Sequence, residues 1–316
     1  MRFLLALWLV TASLLADAHI FVFHRFGDNR HPSTNITIAD LRKHFDYLKN
    51  HGYRVVPLSV LVRALQNGDA IPDNWVVLTI DDSYKSFYEN GLPVFKEYGY
   101  PFTLFVYTKA TDRHYGDFMS WAQVRETAKW GELGFHSHTH PHMLKLDTDK
   151  LKEELRKGMA LMEAKTGRRP RYFAYPYGEY DDRVKAVVAS FGFEGICNQN
   201  VGAVSKGSDP LDLDRCALTG HSNLPAKLRY RHLNARWISP GAWPPHNKLT
   251  DVHIKLGPGE SAQKAEFYVT GHGWKRVTLH DGEFRLTYPL RLTNSRSRLI
   301  LKVGHDKINT KLLVKP

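Results

Sequence analysis

Apolar positions in this chain fall into short unbroken runs separated by stretches of helical periodicity. The densest run is Trp75-Val76-Val77-Leu78-Thr79-Ile80. Apolar and β-branched residues at nearly every position, without alternation, predict a strand buried on both faces of a parallel sheet. Residues 19–23, 53–56, 102–107, 132–135, 171–174, 193–197 and 215–218 read as further strands. Helical spacing predicts helices over 38–48, behind Thr37 as N-cap and stopped by Gly52, and over 58–65, closed by Gly68. Others are expected over 84–98, interrupted or restarted at Pro93, over 121–130 behind Ser120, and over 181–190. The longest, 148–165, turns Leu151, Leu155, Met159 and Met162 to one face. Strands alternating with helices specify a parallel α/β sheet, and about seven strands at this spacing favour a barrel or an incompletely closed one.

Near Pro240 the pattern changes. Short alternating runs at 252–256, 266–269, 276–279, 284–292 and 299–303 are punctuated by Pro, Gly and Asn, which is the signature of a small all-β sandwich. The chain therefore divides into a main unit at 19–240 and a second at 241–316, with 199–240 read as an irregular connection along the first. Trp243, Trp274 and Tyr288 in the second unit could stack on sugar rings, although core positions suit aromatics in a small sandwich better.

The first residues follow neither pattern. Met1-Arg2, an apolar stretch over 3–15 and Ala16-Asp17-Ala18 have the order of a secretory signal peptide, so 1–18 is expected to be a leader and the protein periplasmic or secreted. No later apolar run approaches the length of a transmembrane span. Among 316 residues, 42% are hydrophobic and 24% charged, which suits a globular protein with a substantial core. A net charge of +12 on an exported chain points to an anionic surrounding such as the envelope or an acidic polymer. Nucleic acid is not expected as a partner, because the basic residues are dispersed and no recognition module appears. Cys197 and Cys216 are an even pair in an oxidising compartment and are read either as one disulfide or as two buried thiols.

Four polar clusters follow apolar strands directly: His24, Asp81-Asp82, His136-Ser137-His138-Thr139-His140-Pro141-His142 and Tyr175-Pro176-Tyr177-Gly178. Strand carboxyl ends are where parallel α/β folds bind ligands. Adjacent side chains of a regular strand face opposite ways, so Asp81 and Asp82 can share a site only if the backbone bends after Ile80. Otherwise Asp-Asp-Ser simply caps a helix starting near Tyr84. Two imidazoles plus one carboxylate suit a divalent metal with an open position, and Pro141 puts the histidines on a loop. Spacing alone leaves 136/140 and 138/142 both open as the ligand pair. With Asp82 as third ligand, Asp81 is free to act as general base, and His24 is the best candidate for the acid.

These segments resemble a known family. Thr79-Ile80-Asp81-Asp82-Ser83, His136-Ser137-His138-Thr139-His140-Pro141 and Phe173-Ala174-Tyr175-Pro176-Tyr177-Gly178 are similar to the T-F-D-D-G, H-T-x-S-H-P and F-R-P-P-Y-G motifs of polysaccharide deacetylases (NodB homology, carbohydrate esterase family 4). The resemblance covers roughly residues 19–220. It implies a distorted (β/α) barrel that removes N-acetyl groups from amino-sugar polymers such as poly-N-acetylglucosamine, chitin-like chains or peptidoglycan glycan. It assigns Asp81 as catalytic base, Asp82, His136 and His140 as ligands of a divalent metal (Zn2+, with Co2+ or Ni2+ as alternatives), and the Tyr177 N–H as an oxyanion donor. Two departures stand out. The motif arginine is Ala174 here, with Arg215 as the candidate replacement. No Leu-His acid motif follows late in the first unit, and Leu279-His280 falls in the β-rich part. Val22-Phe23-His24-Arg25 instead resembles the opening strand of the permuted poly-N-acetylglucosamine deacetylases, in which an N-terminal histidine is the acid. Envelope or biofilm-export partners are expected with an acetylated polysaccharide substrate. The competing readings are an O-acetyl polysaccharide esterase, a small-molecule amidohydrolase, and a carbohydrate-binding protein whose catalysis has lapsed.

Overall fold

The computed structural model describes residues 17–316. Its main sheet runs, in spatial order, Cys216–Ala217, His19–Phe23, Trp75–Ile80, Thr103–Val106, Glu132–Phe135, Tyr172–Ala174 and Gly195–Cys197, with Arg54–Val55 also paired to Trp75–Ile80. Every pairing in it is parallel. Next to the Gly195–Cys197 edge, the Ile196 amide donates to the Pro210 carbonyl and the Leu213 amide to the Ile196 carbonyl, so the stretch leading back to Cys216 curls the sheet toward closure. The result is the parallel (β/α) half-barrel that the strand count favours.

Local sequence explains the helices that cover it. Thr37, Ser120, Asp147 and Asp181 cap helices Ile38–Asn50, Trp121–Thr127, Thr148–Thr166 and Asp182–Ala189, each side chain accepting from the backbone amide three residues further on. Near Pro93 the chain forms a π-turn over Phe87–Gly91 before the α-helix Leu92–Tyr98. A side chain at Gly91 would strike the Phe26 and Phe87 rings. That close approach lets Phe23, Phe26, Phe87, Phe95 and Phe102 assemble edge to face beneath the sheet.

The β-rich part contains a five-stranded sheet, in the order Arg231–His232, Lys307–Val314, Arg296–Val303, Lys264–Val269 and Gly273–Thr278. A three-stranded sheet of Ala235–Ser239, His253–Leu256 and Glu283–Arg285 accompanies it. Leu233, Ile254, Phe267, Leu299 and Leu301 share its core. Residues 231–239 therefore belong to these sheets and are not the irregular connection expected up to 240. These strands are defined by partners 14 to 76 positions away. Leu312 and Val314 pack into the core of the first unit, and the Thr310 hydroxyl donates to the Val201 carbonyl at 2.7 Å, so the two parts share an apolar boundary.

Among the remaining readings, one open alternative closes and one expectation changes. Residues 1–16 of the expected leader lie outside the described residues, but Asp17 and Ala18 are built into the fold. Ala18 exchanges two backbone hydrogen bonds with Val204 at 2.8 Å, and the buried Asp17 carboxylate accepts from the His232 amide. Cys197 and Cys216 are both buried and free, not bridged. Trp274 and Tyr288 are exposed, not core residues, while Trp243 is half-buried with its indole N–H donating to Asn247. No helix of the described residues is long and apolar enough to cross a membrane.

Candidate active site

The Trp75–Ile80 strand delivers Asp81 and Asp82 to the carboxyl rim of the sheet, and the bend required there is present. Asp82 and Ser83 take φ of 71° and 58°, the left-handed region that non-glycine residues avoid. Ser83 does not cap a helix. Its hydroxyl donates to the Asp82 carbonyl and lies 3.3 Å from that of Thr111. Ser137, His140 and Tyr177 also have positive φ, so strained backbone gathers around one cleft.

In that cleft three atoms converge. Asp82 Oδ1 lies 3.3 Å from His136 Nε2 and 3.0 Å from His140 Nε2, and the two nitrogens are 3.2 Å apart. The other side of the His136 ring donates from Nδ1 to the Ala174 carbonyl at 2.8 Å, which leaves Nε2 as the lone-pair atom facing the cluster. Asp82 Oδ1 is buried without a hydrogen-bond partner. Three electron-rich atoms this close need a cation or extra protons between them. Ligand bonds of about 2.0–2.1 Å in a tetrahedron would separate donor atoms by roughly 3.3 Å, so these residues fit a small divalent metal. His138 is turned away, with Nδ1 3.0 Å from the Thr108 hydroxyl, and His142 pairs with Glu179 through Nδ1 at 2.8 Å. Geometry thus brings 136 and 140, not 138 and 142, to Asp82. Glu154 on the long helix fixes the histidine loop by accepting from the Thr139 amide and hydroxyl.

Asp81 stays out of this trio. Its carboxylate is gripped on both oxygens by Arg215, Nη1 to Oδ1 and Nη2 to Oδ2, each at 2.8 Å. Arg215 is itself anchored through Nε to the Asn198 carbonyl at 2.8 Å and through Nη1 to Thr79 at 3.0 Å, and both charged partners are fully buried. Burial pushes the Asp81 carboxyl up, but Arg215 and His136 outweigh it and hold it below the usual carboxylate range. For Asp82, the adjacent His136 and His140 imidazoles outweigh burial and hold it well below that range. Burial likewise opposes charge on His136, yet Asp81 and Asp82 raise its pKa. His24 borders the same cleft, and there burial prevails over the two aspartates and lowers its pKa.

The cleft has a volume of about 790 Å³ and is walled by Tyr84, Tyr107, Phe118 and Tyr177. The half-exposed Tyr177 ring stands edge-on to His140 and flat against His142, with centroids 4.5 and 4.4 Å apart. Glu154, Glu179 and Arg296 also touch this site, and nothing in the local sequence pattern pointed to them. The Glu154-to-Thr139 and Arg296-to-Glu179 contacts join positions 15 and 117 apart with no shared motif.

Comparison with known proteins agrees with this architecture. Residues 69–196 match the family model described as polysaccharide deacetylase. The poly-beta-1,6-N-acetyl-D-glucosamine N-deacetylase of Escherichia coli K12 is 32% identical over 120 residues, a match that covers 33% of this chain and 18% of that protein. This chain thus spans less than a fifth of that curated relative. Among solved structures, the Streptococcus pyogenes deacetylase PplD in complex with acetate superposes with a TM-score of 0.61 at 21% identity, covering 66% of this chain and 94% of that one. IcaB from Ammonifex degensii gives 0.59 at 24% identity, covering 65% and 92%. At these identities the superpositions establish the fold alone, whereas the family match spans both Asp81-Asp82 and the histidine loop. The chain therefore carries a polysaccharide deacetylase domain of the NodB type.

Proposed function

We propose that this protein is a metal-dependent hydrolase that removes N-acetyl groups from an amino-sugar polysaccharide, with poly-N-acetylglucosamine as the leading substrate. The observation that carries the reading is the division of labour between adjacent carboxylates, Asp82 joined to two imidazoles and Asp81 held apart by a buried arginine. The polymer is suggested by the name of the Escherichia coli relative. Export to the periplasm or cell exterior fits the leader-like opening and a polymeric substrate.

A divalent ion held by Asp82, His136 and His140, zinc by its preference for nitrogen and oxygen donors, would polarise the acetyl carbonyl and acidify a neighbouring water. Asp81 takes the proton from the attacking water. Arg215 aims both lone-pair faces of that carboxylate and keeps it ionised, so it stands ready as a base. The Tyr177 N–H donates to the oxygen on which charge develops. His24, just past the end of the opening strand, gives a proton to the departing amine. Its burial makes the imidazolium a stronger acid than a free one.

The test is acetate release by the zinc-, cobalt- and nickel-loaded protein from poly-β-1,6-N-acetylglucosamine, chitin oligomers and O-acetylated xylan. Release from an N-acetylated polymer is expected to dominate. Release only from xylan would make the protein an ester hydrolase, and none from any polymer would leave carbohydrate binding in its place.

A further inference from the structure

The β-rich part reaches the catalytic cleft through one side chain. Arg296 opens the strand Arg296–Val303, and its guanidinium crosses to the turn after Ala174. Nη2 donates to the Tyr177 carbonyl at 2.8 Å, and Nη1 pairs with Glu179 Oε1. Glu179 is almost fully buried and uses its other oxygen to hold His142 Nδ1 at 2.8 Å. His142 in turn lies flat on the Tyr177 ring. The four residues close a loop around a turn whose central residue, Tyr177, has φ 59° and ψ 4°. Such a conformation is unfavourable for a non-glycine residue, and it persists only where surrounding contacts over-determine it.

We propose that Arg296 is a positioning residue for the Tyr177 turn, so that the β-rich part is a working component of the catalytic cleft. This rests on the deacetylase reading above, in which the Tyr177 N–H meets the developing oxyanion. The clamp grips the turn at the Tyr177 carbonyl, on the same residue whose N–H that reading assigns to the oxyanion. A donor that serves only the transition state affects turnover more than substrate affinity. Removing an oxyanion donor outright costs about 10²–10³-fold in kcat, and loosening one costs part of that.

The test compares wild type, Arg296→Ala and Arg296→Lys in the full zinc-loaded chain. Arg296→Ala should lower kcat at least about tenfold with KM on poly-N-acetylglucosamine changed by less than about threefold, and Arg296→Lys should recover part of the loss. Independently of turnover, amide hydrogen exchange should quicken at least about tenfold at Gly178 and Glu179. Their amides donate to the Tyr175 and Pro176 carbonyls within the turn. Bound zinc and exchange in the Trp75–Ile80 strand should not change. Unaltered exchange at 178–179, or a loss of zinc and of global protection together, overturns the proposal. An inactive wild type instead overturns the deacetylase reading, and the exchange comparison then still decides whether Arg296 holds the turn.

Discussion

Among the described residues, two clusters bring three potential ligand atoms within reach of one another, Asp82–His136–His140 and Asp28–His31–Asp117. By proximity they are equals, but their surroundings separate them. In the second cluster each carboxylate oxygen is already occupied. Arg25 Nη1 meets Asp28 Oδ2 at 2.6 Å and Asp117 Oδ2 at 3.2 Å, while Arg30 meets Asp28 Oδ1 at 2.8 Å and Asp117 Oδ1 at 3.0 Å. His31 is half exposed and 3.8 Å from Asp117. Two guanidinium groups already supply the positive charge a metal would bring. Around Asp82 no guanidinium enters, since the nearby Arg215 is committed to Asp81, and one carboxylate oxygen has no hydrogen-bond partner. What distinguishes a candidate metal site from a salt-bridge knot is thus an unmet charge requirement, not the gathering of ligands.

The sharpest way to break this comparison is His136→Ala. It removes one of the three donors and should weaken zinc binding at least about 100-fold and abolish turnover. Metal analysis of the purified variant measures the first effect. Asp81→Asn comes next, with kcat expected to fall about 10²–10⁴-fold while zinc stays near one per chain. Equal loss of metal in this variant would merge the two carboxylate roles. The mildest test addresses the other cluster. Asp28→Asn should leave zinc stoichiometry and kcat unchanged and cost about 1–2 kcal/mol of stability at neutral pH by denaturant titration.

That last difference should depend on pH. Hydrogen bonds from Arg30, and then Arg25, hold the folded Asp28 carboxyl well below its usual range. A depressed pKa gives stability that is fully present above the unfolded value of about 4 and fades as the solution becomes more acidic. The gap between wild type and Asp28→Asn should therefore narrow progressively below pH 4. A gap that stays constant from pH 7 to pH 3 would show that the arginines do not stabilise the ionised carboxylate.

Much of the barrel and its rim could be read from the sequence because the information is local. An unbroken apolar run ending in Asp81-Asp82 marks both a buried strand and its functional end, and Thr37, Ser120 and Asp181 announce helix starts within a few residues. Arg215, offered from the sequence only as a candidate for the missing motif arginine, does meet Asp81. The remainder depends on contacts that leave no spacing behind. Glu154 meets the histidine loop from another element, Arg296 meets Tyr177 across 119 positions, and 231–239 are strands only by virtue of their partners. The free cysteines teach the same lesson, because an even count does not specify whether two sulfurs meet.

The His19–Phe23 strand lies inside the sheet, bonded on one side to Trp75–Ile80 and on the other to Cys216–Ala217. This strand must therefore wait for nearly two hundred further residues before its second edge is covered. Until then it offers an open β-edge, and such non-local pairing makes folding slow and prone to association. Under the export proposed above, completing the barrel would become an event at the far side of the membrane, after passage.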